Sequence, residues 1–322
     1  MLVLLSILMV IAGVGLLYWG GEVLVDSSIS MARHFGVSAL VIGLTVVAFA
    51  TSAPELAAAI TANLRGSPDI AVGNVVGSNI ANVCLILGLT SVFFTLPANR
   101  RFIRRELAFM IVATIVVYPV MLRELVINRV EGFFLFVALV WFLRTLLTDP
   151  GHQVAQVDEE GPSGVVVPLW HSGLGVTWGL VLLIVGAQLL VLGASDIARS
   201  FGVEERVIGL TIVAFGTSLP ELAAALAAGR KGEGDLVLGN IVGSNIFNLL
   251  CILGLAALVA PIPVAQQIMR VDYWVMFGTS LMLLVVLAVR GRLGGATGGT
   301  LLVLYVAYST YLFSTPVPAV TP

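Results

Sequence analysis

Two carboxylates sit where the surrounding chain offers nothing to solvate them. Glu55 follows about seventeen largely apolar residues, and Glu221 occupies the same place in a second apolar run. An ionised side chain at the centre of such a run costs at least ~2.5 kcal/mol in hydrocarbon, so each glutamate needs a partner. Snorkelling to an interface is ruled out by depth, because Glu55 lies well inside its run. The flanking residues indicate how the acids are used. In Ala50-Thr51-Ser52-Ala53-Pro54-Glu55 and Gly216-Thr217-Ser218-Leu219-Pro220-Glu221 the proline has no N–H, and its ring clashes with the carbonyl four residues earlier. A helix must break there. The carbonyls of Ala48 and Thr51, and of Ala214 and Thr217, are expected to lose their partners and to point into the protein, the only place a bilayer permits them. Thr51 and Ser52, four and three residues before Glu55, share its face. Thr217 and Ser218 do the same for Glu221.

A second pair of segments adds neutral oxygens. Ser78 and Asn82 are four apart, as are Ser244 and Asn248, with Asn79 and Asn245 between them, so hydroxyls and amides line one face of helices otherwise built from Val, Ile and Leu. Gly73, Gly77, Gly239 and Gly243 let another helix approach closely. The inventory is two carboxylates, freed carbonyls, hydroxyls and amide oxygens, with no sulfur and no imidazole. Hard oxygen donors in that number suit Ca2+, which takes 6 to 8 oxygens, and also Na+; they argue against zinc or copper. Two ionised glutamates also balance the charge of one divalent cation.

The elements that position these groups follow from composition. Of 322 residues, 59% are hydrophobic and 11% charged, with a mean hydropathy of +1.07. Soluble domains carry about 25% charged residues, so this is an all-α integral membrane protein. With a net charge of −2 and no basic patch, nucleic acid is excluded as a partner. Apolar runs near 2–31, 38–63, 70–96, 104–122, 130–147, 173–197, 205–228, 236–260, 271–289 and 299–314 predict ten transmembrane helices. Residues 2 to 19 carry no positive n-region, the first cation being Arg33, so the first run is expected to remain as a helix and not be cleaved as a leader. Cys84 and Cys251 lie inside apolar runs and read as small packed hydrophobes, and His34, His152 and His171 form no cluster.

Residues 35–89 align without a gap to residues 201–255 at an offset of 166, with about 34 of 55 positions identical. Five predicted spans separate equivalent points. An odd number means that the second copy enters the membrane from the opposite side, giving two inverted-topology five-helix repeats of the kind that place a substrate at the midplane. The repeats are expected over 1–147 and 169–322, joined by a solvated acidic linker at 148–168 that contains Asp158, Glu159 and Glu160. If the amino terminus is outside, ten cations fall in cytoplasmic connections and six in external ones. This bias predicts both termini outside and the linker inside.

The strings AFGTSLPEL and GNIVGSNIFN, each with its partner in the first half, resemble the alpha repeats of the cation/calcium antiporter superfamily. The resemblance spans essentially the whole chain and is nearest to the short prokaryotic members of the sodium/calcium exchanger branch. It implies a ten-helix antiporter of the plasma or inner membrane, exchanging Ca2+ for Na+ by alternating access and needing no resident cofactor. By motif, the resemblance makes Glu55, Glu221 and the Thr51 and Thr217 carbonyls calcium ligands. One sodium site would use Ala48, Thr51, Ser78 and Glu55, and its twin Ala214, Thr217, Ser244 and Glu221. Position 50 is Ala where the family commonly has Gly. Position 248 is Asn where potassium-dependent relatives and some archaeal exchangers have Asp, which argues against K+ cotransport and leaves the sodium stoichiometry open.

Other readings are weaker. Proton/calcium exchange fits less well because proton-coupled relatives carry a different motif around the glutamate. A channel would need a continuous pore. An enzyme using the paired acids lacks a nucleophile with a base. Glu22, Asp26 and Asp196 have no acidic counterpart in the other repeat and are expected to be structural. Nothing in the sequence specifies an oligomeric state.

Overall fold

The computed structural model describes residues 2–152, 168–203 and 214–314. Seven helices among these are long and apolar enough to cross a membrane. They are α1 (Leu2–Phe35), α4 (Pro68–Phe93), α5 (Arg100–Leu122), α6 (Arg129–Leu147), α7 (Leu169–Ser200), α10 (Gly234–Val259) and α11 (Ile268–Arg290). A further pair, α2 (Ala39–Thr51) and α3 (Ala53–Leu64), passes the same test jointly but bends by 42° at Ser52. The short α8 (Ala214–Gly216), α9 (Leu219–Arg230) and α12 (Gly295–Ser314) complete the described helices. The predicted run at 205–228 is described only from Ala214 onward. Asp158, Glu159 and Glu160 lie outside the described residues.

Lipid accounts for the surface. Leu4, Leu8, Ile11 and Trp19 on α1, Phe133, Phe134 and Trp141 on α6, and Trp170, Leu174 and Trp178 on α7 all expose more than half of their area. Apolar faces of that extent are unsupportable in water. Inside, α10 is enclosed without interruption from Leu236 to Gly254.

Small residues set the helix spacing. Between α1 and α7, a Cβ added at Gly13 would stand 2.7 Å from the Gly186 carbonyl oxygen, and one at Gly179 would stand 2.7 Å from the Leu24 amide and 3.0 Å from the Gly20 carbonyl oxygen. Gly13 and Gly179 are one repeat offset apart, as are Gly20 and Gly186. Helix backbones touch this closely only where no side chain intervenes. The same reciprocity governs four two-residue strands. β1 (Leu96–Pro97) pairs antiparallel with β4 (Arg292–Leu293), while β2 (Val126–Ile127) pairs with β3 (Ile262–Pro263). Each pairing joins one half of the chain to the other. Gly66 and Gly232, at φ +76° and +77°, turn the chain between α3 and α4 and between α9 and α10, a left-handed conformation that a Cβ disfavours.

Candidate functional site

Both glutamates open a helix that has just restarted. Ser52 (φ −84°, ψ 1°) and Ser218 (φ −89°, ψ 2°) interrupt the helix with nearly identical backbones, and Pro54 and Pro220 follow in the first turn of α3 and α9, where a missing N–H costs nothing. Glu55 and Glu221 therefore lie in a first turn, where backbone N–H groups favour an anion. Each is 1% exposed. The pattern Ser-x-x-Glu would ordinarily form a reciprocal capping box, yet the Ser52 hydroxyl makes no cap bond. It donates instead to Glu221 Oε1 at 3.4 Å, across to the other half of the chain. Thr51, fully buried, donates to Asn240 Oδ1 at 3.2 Å, likewise in the other half.

The break differs from expectation at one carbonyl. Ala48 keeps a helical hydrogen bond from the Ser52 N–H at 3.0 Å, so the break does not orphan it. The interruption is a kink at one residue and not an unwound stretch, and only the second lone pair of that carbonyl stays open. In the second copy the Ser218 N–H reaches Phe215 at 3.1 Å instead of Ala214. Thr217 is half-buried where Thr51 is sealed, so the two copies differ locally at the break.

The amide-bearing helices carry a reciprocal network. Each has a π-helical turn, Asn82–Ile86 in α4 and Phe247–Ile252 in α10, a local widening of the helix that recurs at functional sites. Asn82 Nδ2 donates to Asn245 Oδ1 at 3.0 Å, and Asn248 Nδ2 donates to Asn79 Oδ1 at 2.9 Å. All four asparagines are buried, as are Ser78, Ser244 and Ser218. With these donors committed to one another, a set of buried oxygens has no hydrogen-bond partner among the described residues: Glu55 Oε2, Glu221 Oε2, Asn82 Oδ1, Asn248 Oδ1 and Ser244 Oγ. Unpaired donors in this region, among the described residues, are Asn240 Nδ2 and the O–H of Ser244, whose oxygen can also accept. Buried polar atoms are ordinarily satisfied, and a group of lone pairs without donors is the chemistry of a cation site. The structure thus joins Ser52 to Glu221 across the two halves, ties Asn79, Asn82, Asn245 and Asn248 together in pairs and buries Ser78, Ser218 and Ser244; Ala214 begins α8, and its side chain lies outside what is described.

A profile of the sodium/calcium exchanger protein family matches residues 5–148 and 171–314, nearly the full length in two halves. The chain belongs to that family. This exchanger is 31% identical to the sodium/calcium exchanger MaX1 of Methanosarcina acetivorans over 97% of its own length and 99% of that protein. It is 37% identical to the inner membrane protein YrbG of Escherichia coli over 86% of this chain and 87% of that one. Its fold matches the sodium-calcium exchanger NCX_Mj, solved after soaking with zero Na+ and Ca2+, with a TM-score of 0.84 at 32% identity, covering 96% of this chain and 99% of that one.

Some members of the network escape a reading of the exchanger's sequence. Asn240, and Asn74, which donates to the Glu55 carbonyl at 3.4 Å, stand in the repeated GN pairs beside Gly239 and Gly73, and their register across the repeat was the available signal. The acids without repeat partners are held in ion pairs. Glu22 on α1 pairs with Arg230 at 2.6 Å and with Lys231 at 3.1 Å, Asp26 also meets Lys231, and Asp196 pairs with Arg199 at 2.8 Å. At the end of α6, Asp149 bridges Arg101 and Arg105.

Proposed function

We infer that this exchanger moves Ca2+ in one direction and Na+ in the other by alternating access, with both ions drawn to the oxygens around Glu55 and Glu221. The observation that carries this is the pair of buried glutamates, each with an unpaired oxygen, together with the unpaired amide oxygens of Asn82 and Asn248, whose NH2 groups are spent on Asn245 and Asn79. Two carboxylates balance one Ca2+, or two Na+, so the charge of the loaded site is the same in either state. Membership of the sodium/calcium exchanger family favours Na+ over H+ as the counter-ion.

In this reading the Ca2+ ligands are Glu55, Glu221 and the Thr51 and Thr217 carbonyls. One flanking Na+ position uses Ala48, Thr51, Ser78 and Glu55 and its twin Ala214, Thr217, Ser244 and Glu221, while Ser52, Ser218, Asn82 and Asn248 supply further oxygens to the shared site. The seven long helices, the two broken ones and α12 together make ten spans in two inverted repeats, 1–147 and 169–322. The reciprocal strand pairings and the paired glycine contacts support that arrangement. Both termini lie outside, with Arg100, Arg101, Arg104 and Arg105 on the cytoplasmic side. No cofactor is assigned.

The test is uptake of radiolabelled calcium by proteoliposomes under an imposed Na+, K+ or H+ gradient. Uphill uptake driven by the Na+ gradient is expected. Full-rate uptake in Na+-free medium driven by pH alone would replace this assignment with proton exchange, and flux that only runs downhill would make the protein a channel.

A further inference from the structure

The network of asparagines has an end that the ion chemistry does not explain. Met110 on α5 and Met276 on α11 are one repeat offset apart, and each is buried, 0% and 1% exposed. Asn245 Nδ2 donates to Met110 Sδ at 3.6 Å, and Asn79 Nδ2 donates to Met276 Sδ at 3.5 Å. A thioether accepts weakly and cannot donate. It can therefore do one thing to an amide, which is to select the nitrogen end over the oxygen end.

That selection propagates. With its nitrogen on Met110, Asn245 offers Oδ1 to Asn82, so Asn82 spends Nδ2 on that bond and its Oδ1 is left unpaired. If Asn245 turned over, its oxygen would meet the sulfur lone pairs, and its nitrogen would face Asn82. Asn82 would then have to turn as well and present an NH2 group where an oxygen stood. The mirror chain runs from Met276 through Asn79 to Asn248. Asn79 has a second restraint, since its Nδ2 also reaches the Asn245 carbonyl at 3.4 Å. Asn245 has Met110 as the acceptor for its nitrogen.

We infer that Met110 and Met276 are positioning residues for ion binding: by accepting from Asn245 and Asn79, they make Asn82 and Asn248 present oxygen to the cation. This rests on the assignment of Asn82 and Asn248 to the site. Because Asn79 is held twice, Met110 carries the larger share.

Full-length protein in proteoliposomes tests the relay. Met110→Leu keeps volume and hydrophobicity but removes the acceptor. The KM for Ca2+ should rise by about two- to tenfold, the range one neutral hydrogen bond supports, with the maximal rate changed much less. Met121→Leu, a buried methionine outside the network, should leave KM unchanged. In an Asn82→Asp background both ends of the side chain are oxygen, so adding Met110→Leu should no longer raise KM. An equal rise in that background would mean packing and overturn the relay, as would an unchanged KM in Met110→Leu alone. Should Met110→Leu fail to insert, Met276→Leu with and without Asn248→Asp poses the same question, with a smaller rise expected. Asn82→Ala separates the two levels: if it leaves KM unchanged, the site assignment itself fails, whereas a raised KM beside an inert Met110→Leu rejects only the relay.

Discussion

Glu221→Gln alters the site by one atom and one charge. The side chain is 1% exposed, its Oε1 accepts from Ser52 at 3.4 Å and its Oε2 has no partner among the described residues. Glutamine can keep the Ser52 bond through its remaining oxygen, so the fold loses little. The cation loses an anionic ligand and meets an amide NH2 in its place. Removing one partner of a buried charge pair costs about 3–5 kcal/mol, which is roughly two to four decades of affinity. Calcium binding also reports through stability. At a concentration one hundred times its Kd, Ca2+ stabilises the wild type by about 2.7 kcal/mol, and after a hundredfold loss of affinity the same concentration supplies only about 0.4 kcal/mol. Radiolabelled calcium uptake, together with thermal unfolding in detergent with and without Ca2+, reads both effects. The variant should unfold like the wild type in chelator, show almost no calcium-induced shift and transport nothing. Glu55→Gln should behave alike, its carboxylate being equally buried and equally short of a partner. Wild-type flux and an intact calcium shift in either variant would refute the reasoning.

Acid should inhibit transport, since a proton and a cation compete for the same carboxylate oxygens; calcium flux that stays constant from pH 8 to pH 5 would contradict this. Transport should require Na+ and not K+, and Asn248→Asp should alter cation selectivity or coupling by adding a buried carboxylate; ion-competition assays that show no change would place position 248 outside the site. Gly179→Ala should destabilise the α1–α7 contact by about 1–3 kcal/mol, because its Cβ would stand 2.7 Å from the Leu24 amide and the neighbouring backbone cannot yield. Gly15→Ala, whose Cβ meets nothing within 4 Å among the described residues, should be neutral in the same melting experiment. Coupling follows from charge: an empty site holds two carboxylates that resist being sealed from water, so only loaded forms should reorient. Calcium efflux from loaded vesicles should be slow in cation-free buffer and fast with external Na+ or Ca2+, and equal rates would disprove it.

Much of this was legible in the chain alone, because the signals are local. Hydropathy marked the spans to within a few residues, for instance 130–147 for Arg129–Leu147. Proline chemistry placed the breaks one turn ahead of Glu55 and Glu221. An offset of 166 put every oxygen donor beside its twin, since duplicated segments must solve the same burial problem twice. Tertiary structure decided who meets whom. No spacing rule says that Ser52 leaves its own helix cap for Glu221, that Asn82 answers Asn245 and not a neighbour on its own helix, or that two methionines lie behind the amides. Those contacts cross from one half of the chain to the other, and their geometry depends on glycine-sized gaps between backbones that a linear pattern does not encode. The same holds for the Ala48 carbonyl, expected to be free and found hydrogen-bonded, and for Thr51 sealed while Thr217 is half open. Local sequence is nearly the same in both copies, differing at the break by Ala50 against Gly216 and Ala53 against Leu219, so most of the difference between them lies in the neighbours each copy meets in the assembled fold.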